Sequence, residues 1–133
     1  MITDVLNNVK NELTDAGVQN VYTIFDAVPV EKKGRGFYTI VGVSSFETSS
    51  PIYTEFTVFI PFKAEIEIKI TAREASELAA LYGYYDRNIE PVLNRLSNLS
   101  SRISRMSLKH DTNINRLVLN VGFSVNGIKK IER

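Results

Sequence analysis

The sequence predicts an α+β fold: a mostly antiparallel sheet with an N-terminal helix and a broken central helix packed on one face. Three observations predict it. Apolar residues of the opening stretch recur at steps of three and four. Those between residues 54 and 70, and again between 116 and 125, alternate with polar ones. A second helical period lies between these two alternating runs.

Taken in order, Ile2, Val5, Leu6, Val9 and Leu13 make one apolar stripe, so residues 2 to 16 are predicted helical. Thr3 or Asp4 stands near the N-cap, and Gly17 is placed as the stop. Val21 to Val28 is a predicted strand ended by Pro29. Residues 31 to 36 (EKKGRG) form a polar turn, and Phe37 to Phe46 a second strand. ETSSP, from Glu47 to Pro51, is a second loop.

The third strand is TEFTVFIPFKAEIEIKI, Thr54 to Ile70. Phe56, Val58, Ile60, Phe62, Ala64, Ile66, Ile68 and Ile70 share one face. Thr57, Phe59, Pro61, Lys63, Glu65, Glu67 and Lys69 share the other.

The period then changes. Ala75, Leu78, Ala79, Leu81, Tyr82 and Tyr85 fit a helix, with capping-box spacing at Thr71 and Glu74. Pro91 predicts a kink or a new helix beginning near Ile89, continued by Val92, Leu93, Leu96 and Leu99. Ile103 to His110 reads as a strand or as an extension of this helix. DTNIN is a turn cluster, residues 116 to 125 a strand, and Asn126–Gly127 a tight turn.

The chain has 133 residues, a size natural for one domain, with 44% hydrophobic and 23% charged residues, enough for an ordinary core. A formal net charge of +1 gives no global case for nucleic acid or an anionic membrane. Without cysteine, disulfides, thiolate zinc sites and cysteine nucleophiles are excluded. The first residues lack the basic and apolar regions of a signal peptide, and no window reaches the roughly 18 apolar residues of a membrane helix. A soluble protein, intracellular when made, is expected.

Charge is uneven along the chain. Residues 1 to 31 carry five carboxylates against Lys10, and residues 101 to 133 carry seven basic residues against Asp111 and Glu132. Opposite poles suit head-to-tail stacking of identical copies, although ordinary surface charge reads the same way.

Candidate sites are few. His110–Asp111 is the one histidine–carboxylate neighbour pair, and beside Asn113 and Asn115 it reads as a solvated turn rather than a catalytic base. One histidine and scattered carboxylates make no metal-ligand set. Gly34 to Gly36 lacks the glycines, lysine spacing and following helix of a phosphate loop; with Lys32, Lys33 and Arg35 it is an exposed basic tip. In LYGYYD, Tyr82 and Tyr85 are expected in the core and Tyr84 at the surface.

The 17 residues from Thr54 to Ile70 are the most informative. At about 3.3 Å per residue they span roughly 56 Å. The expected radius of gyration is about 14 Å. Either two shorter strands meet at a Pro61 bulge, or the long edge is covered by another subunit. Phe59 and Pro61 on the polar face indicate that this face is covered too.

The layout resembles the tail terminator (tail completion) proteins of long-tailed bacteriophages and related phage-like particles. The resemblance rests on the amphipathic opening helix, VYTIFDAVPVEKKGRGFYTIVGV, the arm PIYTEFTVFIPFKAEIEIKITA, the helix LAALYGYYDRNIEPVLNRL and the closing NRLVLNVGFSVNGI. It spans nearly the whole chain and rests on element order rather than an invariant motif. It implies one domain over residues 1 to 133, forming a homo-hexameric ring that caps the tail tube, stops its polymerisation and presents a head-joining surface.

The implied partners are further copies, the tail tube protein and a head-completion or neck protein, with DNA passing through the lumen, no membrane, no cofactor and no enzymatic activity. The implied location is the virion tail, assembled in the bacterial cytoplasm. Phe59, Pro61, Lys63, Glu65, Glu67 and Lys69 are then the expected subunit interface. Lys32, Lys33, Arg35, Glu47 and Ser49 are expected tube or neck contacts. Arg102, Arg105 and Arg116 are expected to meet an acidic neighbour or line the lumen. Another phage structural subunit (head completion, tube or baseplate), or a small α+β ligand-binding domain or enzyme, are the alternatives.

Overall fold

A computed structural model of the chain describes residues 2–18, 20–23, 37–72, 78–96, 102–112 and 116–133. Helix α1, Ile2–Asp15, buries Leu6, Val9 and Leu13, the predicted stripe. Thr3 and Asp4 lie inside its first turn rather than capping it, and Asp4 there faces the positive end of the helix dipole. Gly17 ends the helix with φ 91°, while Val18 N–H donates to Leu13 C=O and Gly17 N–H to Thr14 C=O. This is the Schellman stop that a left-handed glycine allows.

Strand β1 (Val21–Thr23) runs parallel to β2 (Tyr38–Thr48). Then follow β3 (Ile52–Tyr53), β4 (Thr57–Ala72), β5 (Arg102–Asp111) and β6 (Arg116–Glu132), all pairing antiparallel. They form one six-stranded sheet ordered β1-β2-β4-β6-β5, with β3 joining β4 beyond the end of β2. The fold is therefore α+β, with helices on one face of a mostly antiparallel sheet. The rest of the predicted first strand and the loop at 31 to 36, with Lys32, Lys33 and Arg35, lie outside the described residues.

The even-numbered side chains of β4 face the helices. Ala64, Ile66, Ile68 and Ile70 are buried there with Leu117, Leu119, Val121 and Phe123 of β6, against α1 and the central helix. The central helix is α2 (Leu78–Tyr84), a π-helical turn (Tyr85–Ile89) and α3 (Glu90–Leu96). Pro91 has no N–H for the usual bond one turn back. The preceding turn is widened, so that Glu90 N–H reaches Tyr85 C=O. The buried stripe is Leu81, Tyr85, Ile89, Val92 and Leu93. Tyr82, expected in the core beside Tyr85, is instead exposed, and Tyr84 packs against the Phe37 ring at 5.1 Å.

Three other expectations are corrected. Thr71 does not cap the central helix: it is buried in β4, where its hydroxyl accepts a hydrogen bond from Arg116 Nε. Asn126–Gly127 is not a turn, because β6 runs through it for five more residues to Glu132. His110 and Asp111 lie in β5 rather than in a turn. Residues 102 to 111 are strand, which resolves the helix-or-strand ambiguity. No described helix is long and apolar enough to cross a membrane.

Among the described residues the buried Tyr85 hydroxyl has no hydrogen-bond partner, and burial, then Glu90 and Asp86, push its pKa up to about 12. A raised folded-state pKa keeps this group's contribution whole below the ordinary tyrosine pKa of about 10 and removes it as pH climbs towards 12. Tyr85→Phe removes only an unsatisfied hydroxyl, so its stability at pH 7 should lie within about 1 kcal/mol of the parent. Urea midpoints should show the variant losing less stability than the parent between pH 10 and 12.

Candidate assembly interface

β4 is one continuous strand of 16 residues, not two strands meeting at a bulge, paired with β6 without slip from Thr57↔Glu132 to Ala72↔Leu117. Pro61 is accommodated by strand geometry. Its carbonyl accepts the Ser49 N–H at 2.9 Å, so residue 61 directs its backbone towards the β2 side. There the β2 ladder stops at Thr48↔Phe62 and the β3 ladder begins at Ile52↔Phe59. The missing N–H therefore falls in the gap between β2 and β3, and the ladder to β6 is untouched. Pro61→Ala should change stability by less than about 1 kcal/mol. Ile60→Pro, at a position whose N–H is directed to β6, removes a ladder hydrogen bond and should cost about 1–3 kcal/mol by urea denaturation.

The two halves of β4 differ. Residues 64 to 70 alternate over the core, and Thr71 and Ala72 are buried as well. Residues 57 to 62 are uniformly half-buried. With β3 and residues 127 to 132 of β6 they form a three-stranded arm, about 20 Å long for six residues. Both of its faces carry apolar side chains, with Lys130 on one and Lys129 on the other. The register places Ile52, Phe59, Pro61 and Ile128 on one face and Tyr53, Val58, Ile60 and Ile131 on the other. Ile128 is 63% exposed and Phe56, in the tip, 69%. Clustered apolar exposure on both faces of one projecting element marks an interaction surface.

The arm is fixed at both ends. At its tip Thr54 N–H donates to Thr57 C=O, Thr57 N–H donates to the Thr54 hydroxyl, and Arg133 Nη1 donates to Thr54 C=O. The Arg133 guanidinium also lies 5.7 Å from the Tyr53 ring centroid. At its root Phe62 stacks on Phe46, with ring centroids 5.3 Å apart, and lies across Gly127, where a Cβ would sit 2.5 Å from Phe62 Cζ. Gly127 thus serves ring packing inside a strand.

Phe59, Pro61, Lys63, Glu65, Glu67 and Lys69 share the sheet face turned away from the helices. Phe59 and Pro61 belong to the arm. The other four lie over the body, with Lys63 Nζ 3.3 Å from Glu65 and Arg105 Nη2 3.8 Å from Glu67. Glu47, Ser49, Pro61 and Lys63 come together around one open cleft of about 580 Å³ at the end of β2. Arg102 and Arg105 are on the edge strand β5, and Arg105 is exposed. Arg116, expected with them at the surface, is only 4% exposed: its guanidinium lies 4.6 Å from the Tyr38 ring centroid and donates to Thr71. Among the described residues no group of three or more His, Cys, Asp or Glu could hold a metal ion.

A second groove lies where the arm leaves the body. It measures about 270 Å³ and is walled by Val5 and Val9 of α1, Leu96 of α3, and Phe62 and Val125 of the sheet. Neither groove is visible in the sequence, since each joins elements far apart in the chain.

No family model matches this sequence, and no curated protein does. Among solved structures, a chain of a gene transfer agent virion aligns with a TM-score of 0.44 and 11% identity over 94% of this chain and 92% of that one. The core region of PilO from the type IV pilus system of Pseudomonas aeruginosa aligns with a TM-score of 0.27 and 10% identity over 67% of this chain and 79% of that one. The sheath/tube terminator of an extracellular contractile injection system (PVC), in its extended state, aligns over 100% of this chain with a TM-score of 0.53 and 10% identity. This chain spans 58% of that terminator's length, and what the two share is the fold.

Proposed function

We propose that this protein is a structural subunit of a phage-type or phage-like tail, a terminator whose copies close into a homo-hexameric ring on the end of the tail tube. The single observation that carries the reading is the two-faced apolar arm projecting from the body. A free monomer leaves it wet, and an exposed long strand ribbon invites uncontrolled association. A closed ring of identical heterologous contacts covers every arm and leaves none over. The shared fold with a sheath/tube terminator supports this reading.

In this reading the mechanism is steric. One ring face matches the tube end. The other face does not, so tube growth stops and a neck or head-completion protein finds its docking surface. Glu47 and Ser49, at the cleft beside the arm root, are the described candidates for tube or neck contact, and Lys32, Lys33 and Arg35, outside the described residues, are the others. The exposed Arg105 on β5 is the candidate for a lumen through which DNA passes. The chain acts as one domain and without catalysis.

Native mass measurement and negative-stain imaging, with and without tail tubes, test the proposal. Rings of six copies, alone or capping tube ends of uniform length, are expected. Monomers that leave tube length unchanged would overturn it.

A further inference from the structure

We propose that the arms of neighbouring copies join edge to edge, β3 of one copy adding to the open edge of β6 of the next. This rests on the ring reading above and names its subunit contact. β5 accompanies β6 only as far as Arg102↔Ser124, so among the described residues no strand lies beside residues 126 to 132 on the side away from β4. Pro61 C=O accepts from Ser49 N–H and Thr57 C=O from Thr54 N–H, so the odd-numbered residues of this part of β4 turn their backbone towards β2 and β3. Ile128 and Lys130, opposite Pro61 and Phe59, therefore direct N–H and C=O outwards from the arm. Tyr53, opposite Val58, does the same on the other rim. Such open ladder groups are the template for adding a strand.

Exposure, charge and the character of the other edges all select β3 as the occupant. The exposed apolar side chains of the arm lie on its rims, Ile52 and Tyr53 on β3 and Ile128 and Ile131 on β6, whereas Val58 to Ile60 between them are half-buried. Residues 47 to 56 carry Glu47 and Glu55 and no cation, and all of them except the half-buried flank before Glu47 are exposed. Residues 126 to 133 carry Lys129, Lys130 and Arg133 against Glu132. A second β6 edge would bring the same two lysines, and the β5 edge carries Arg102, Arg105 and Lys109 against Asp111. Like charges across a strand pair oppose it. The third edge, β1, has two of its three residues buried.

β3 and β6 both run antiparallel to β4, so a ring whose axis lies along the arms sets β3 of one copy parallel to β6 of the next. In a parallel pair one residue bonds to two on the facing strand. Tyr53 N–H then donates to Ile128 C=O, and Lys130 N–H donates to Tyr53 C=O. This register sets Ile52 beside Ile128 on one face and the Tyr53 ring beside the Lys129 ammonium on the other. Lys129 makes no ion pair within the subunit among the described residues, and Glu55, two residues beyond Tyr53, is brought towards it. The two rims are different patches, so each copy gives one contact and receives one, and that arrangement closes as a ring.

Hydrogen exchange of the unmodified chain tests this, as dilute free subunits and as rings, on tail tubes where rings need them. The amides of Ile128, Lys130 and Tyr53 should exchange at least roughly tenfold more slowly in the ring, because each gains a partner or a cover there. Lys130→Pro removes an N–H that points away from β4, which an edge strand tolerates, so the variant should fold like the parent by urea denaturation. It should need at least roughly tenfold more protein to assemble, whereas Lys130→Ala, which keeps the N–H, should assemble within about threefold of the parent. Rings in which the Ile128 and Lys130 amides exchange as in the free subunit, or rings of Lys130→Pro at the parent's concentration, would overturn the edge pairing and leave the ring standing. Protection of β6 without protection of Tyr53 would overturn β3 as the occupant. Monomers under every condition would overturn both the pairing and the ring.

Discussion

The double variant Phe56→Glu/Ile128→Glu is expected to fold with the parent's urea midpoint and to remain a monomer where the parent assembles. Both side chains are mostly exposed in the single subunit, at 69% and 63%, so little packing is lost. Surface changes of this kind usually stay within about 0.5 kcal/mol. At an interface the arithmetic reverses. Each side chain loses about 1.5–3 kcal/mol of apolar burial, and each new carboxylate must be stripped of water without a partner. In a closed ring that loss recurs at every contact, so assembly fails as a whole. Sedimentation velocity beside denaturation curves checks it. A variant that assembles like the parent would show that the arm faces solvent in the particle.

The features behind this prediction were unequally visible in the sequence. The arm was legible because alternation is a local property and because Phe59 and Pro61 interrupt the polar face. The unbroken β4–β6 ladder makes β4 a single long strand, but the expected free long edge is not there: β2 and β3 pair with one side of β4 and β6 with the other, so it lies inside the sheet. β3 was not legible: Ile52–Tyr53 is two residues in a loop-like stretch, a strand only because Phe59 and Val58 stand opposite.

Local signals failed where tertiary packing prevails. Thr71 and Glu74 have capping-box spacing, yet the Thr71 hydroxyl is taken by Arg116, 45 residues away. Arg116 read as one more surface cation because nothing local reveals Tyr38 beside it. Tyr82 was placed in the core by a regular period of 3.6, and the π-helical turn after Tyr84 is not regular. The groove joins α1, α3 and β6, so only the fold brings its walls together.

Asn126–Gly127 is the sharpest of these failures, and it leads to the second large effect. A sequence reading makes Gly127 a turn residue, needed for a positive φ. In the structure the only described glycine with positive φ is Gly17, and Gly127 is an ordinary strand residue facing the Phe62 ring. Gly127→Val should therefore strain no backbone but collide, its Cβ lying 2.5 Å from Phe62 Cζ and 2.9 Å from Cε1. The ring cannot slide away freely, because Phe46 stacks on it with an interplanar angle of 18°. Overpacking of this kind costs about 1–3 kcal/mol.

The cause is separable. Phe62→Ala in the Gly127→Val background should cost less than Phe62→Ala alone, with a coupling of about 0.5–3 kcal/mol across the four proteins by urea denaturation. Additive costs would mean that the ring does not need the glycine, and the root of the arm would then have to be held by Phe46 and the β4–β6 ladder alone.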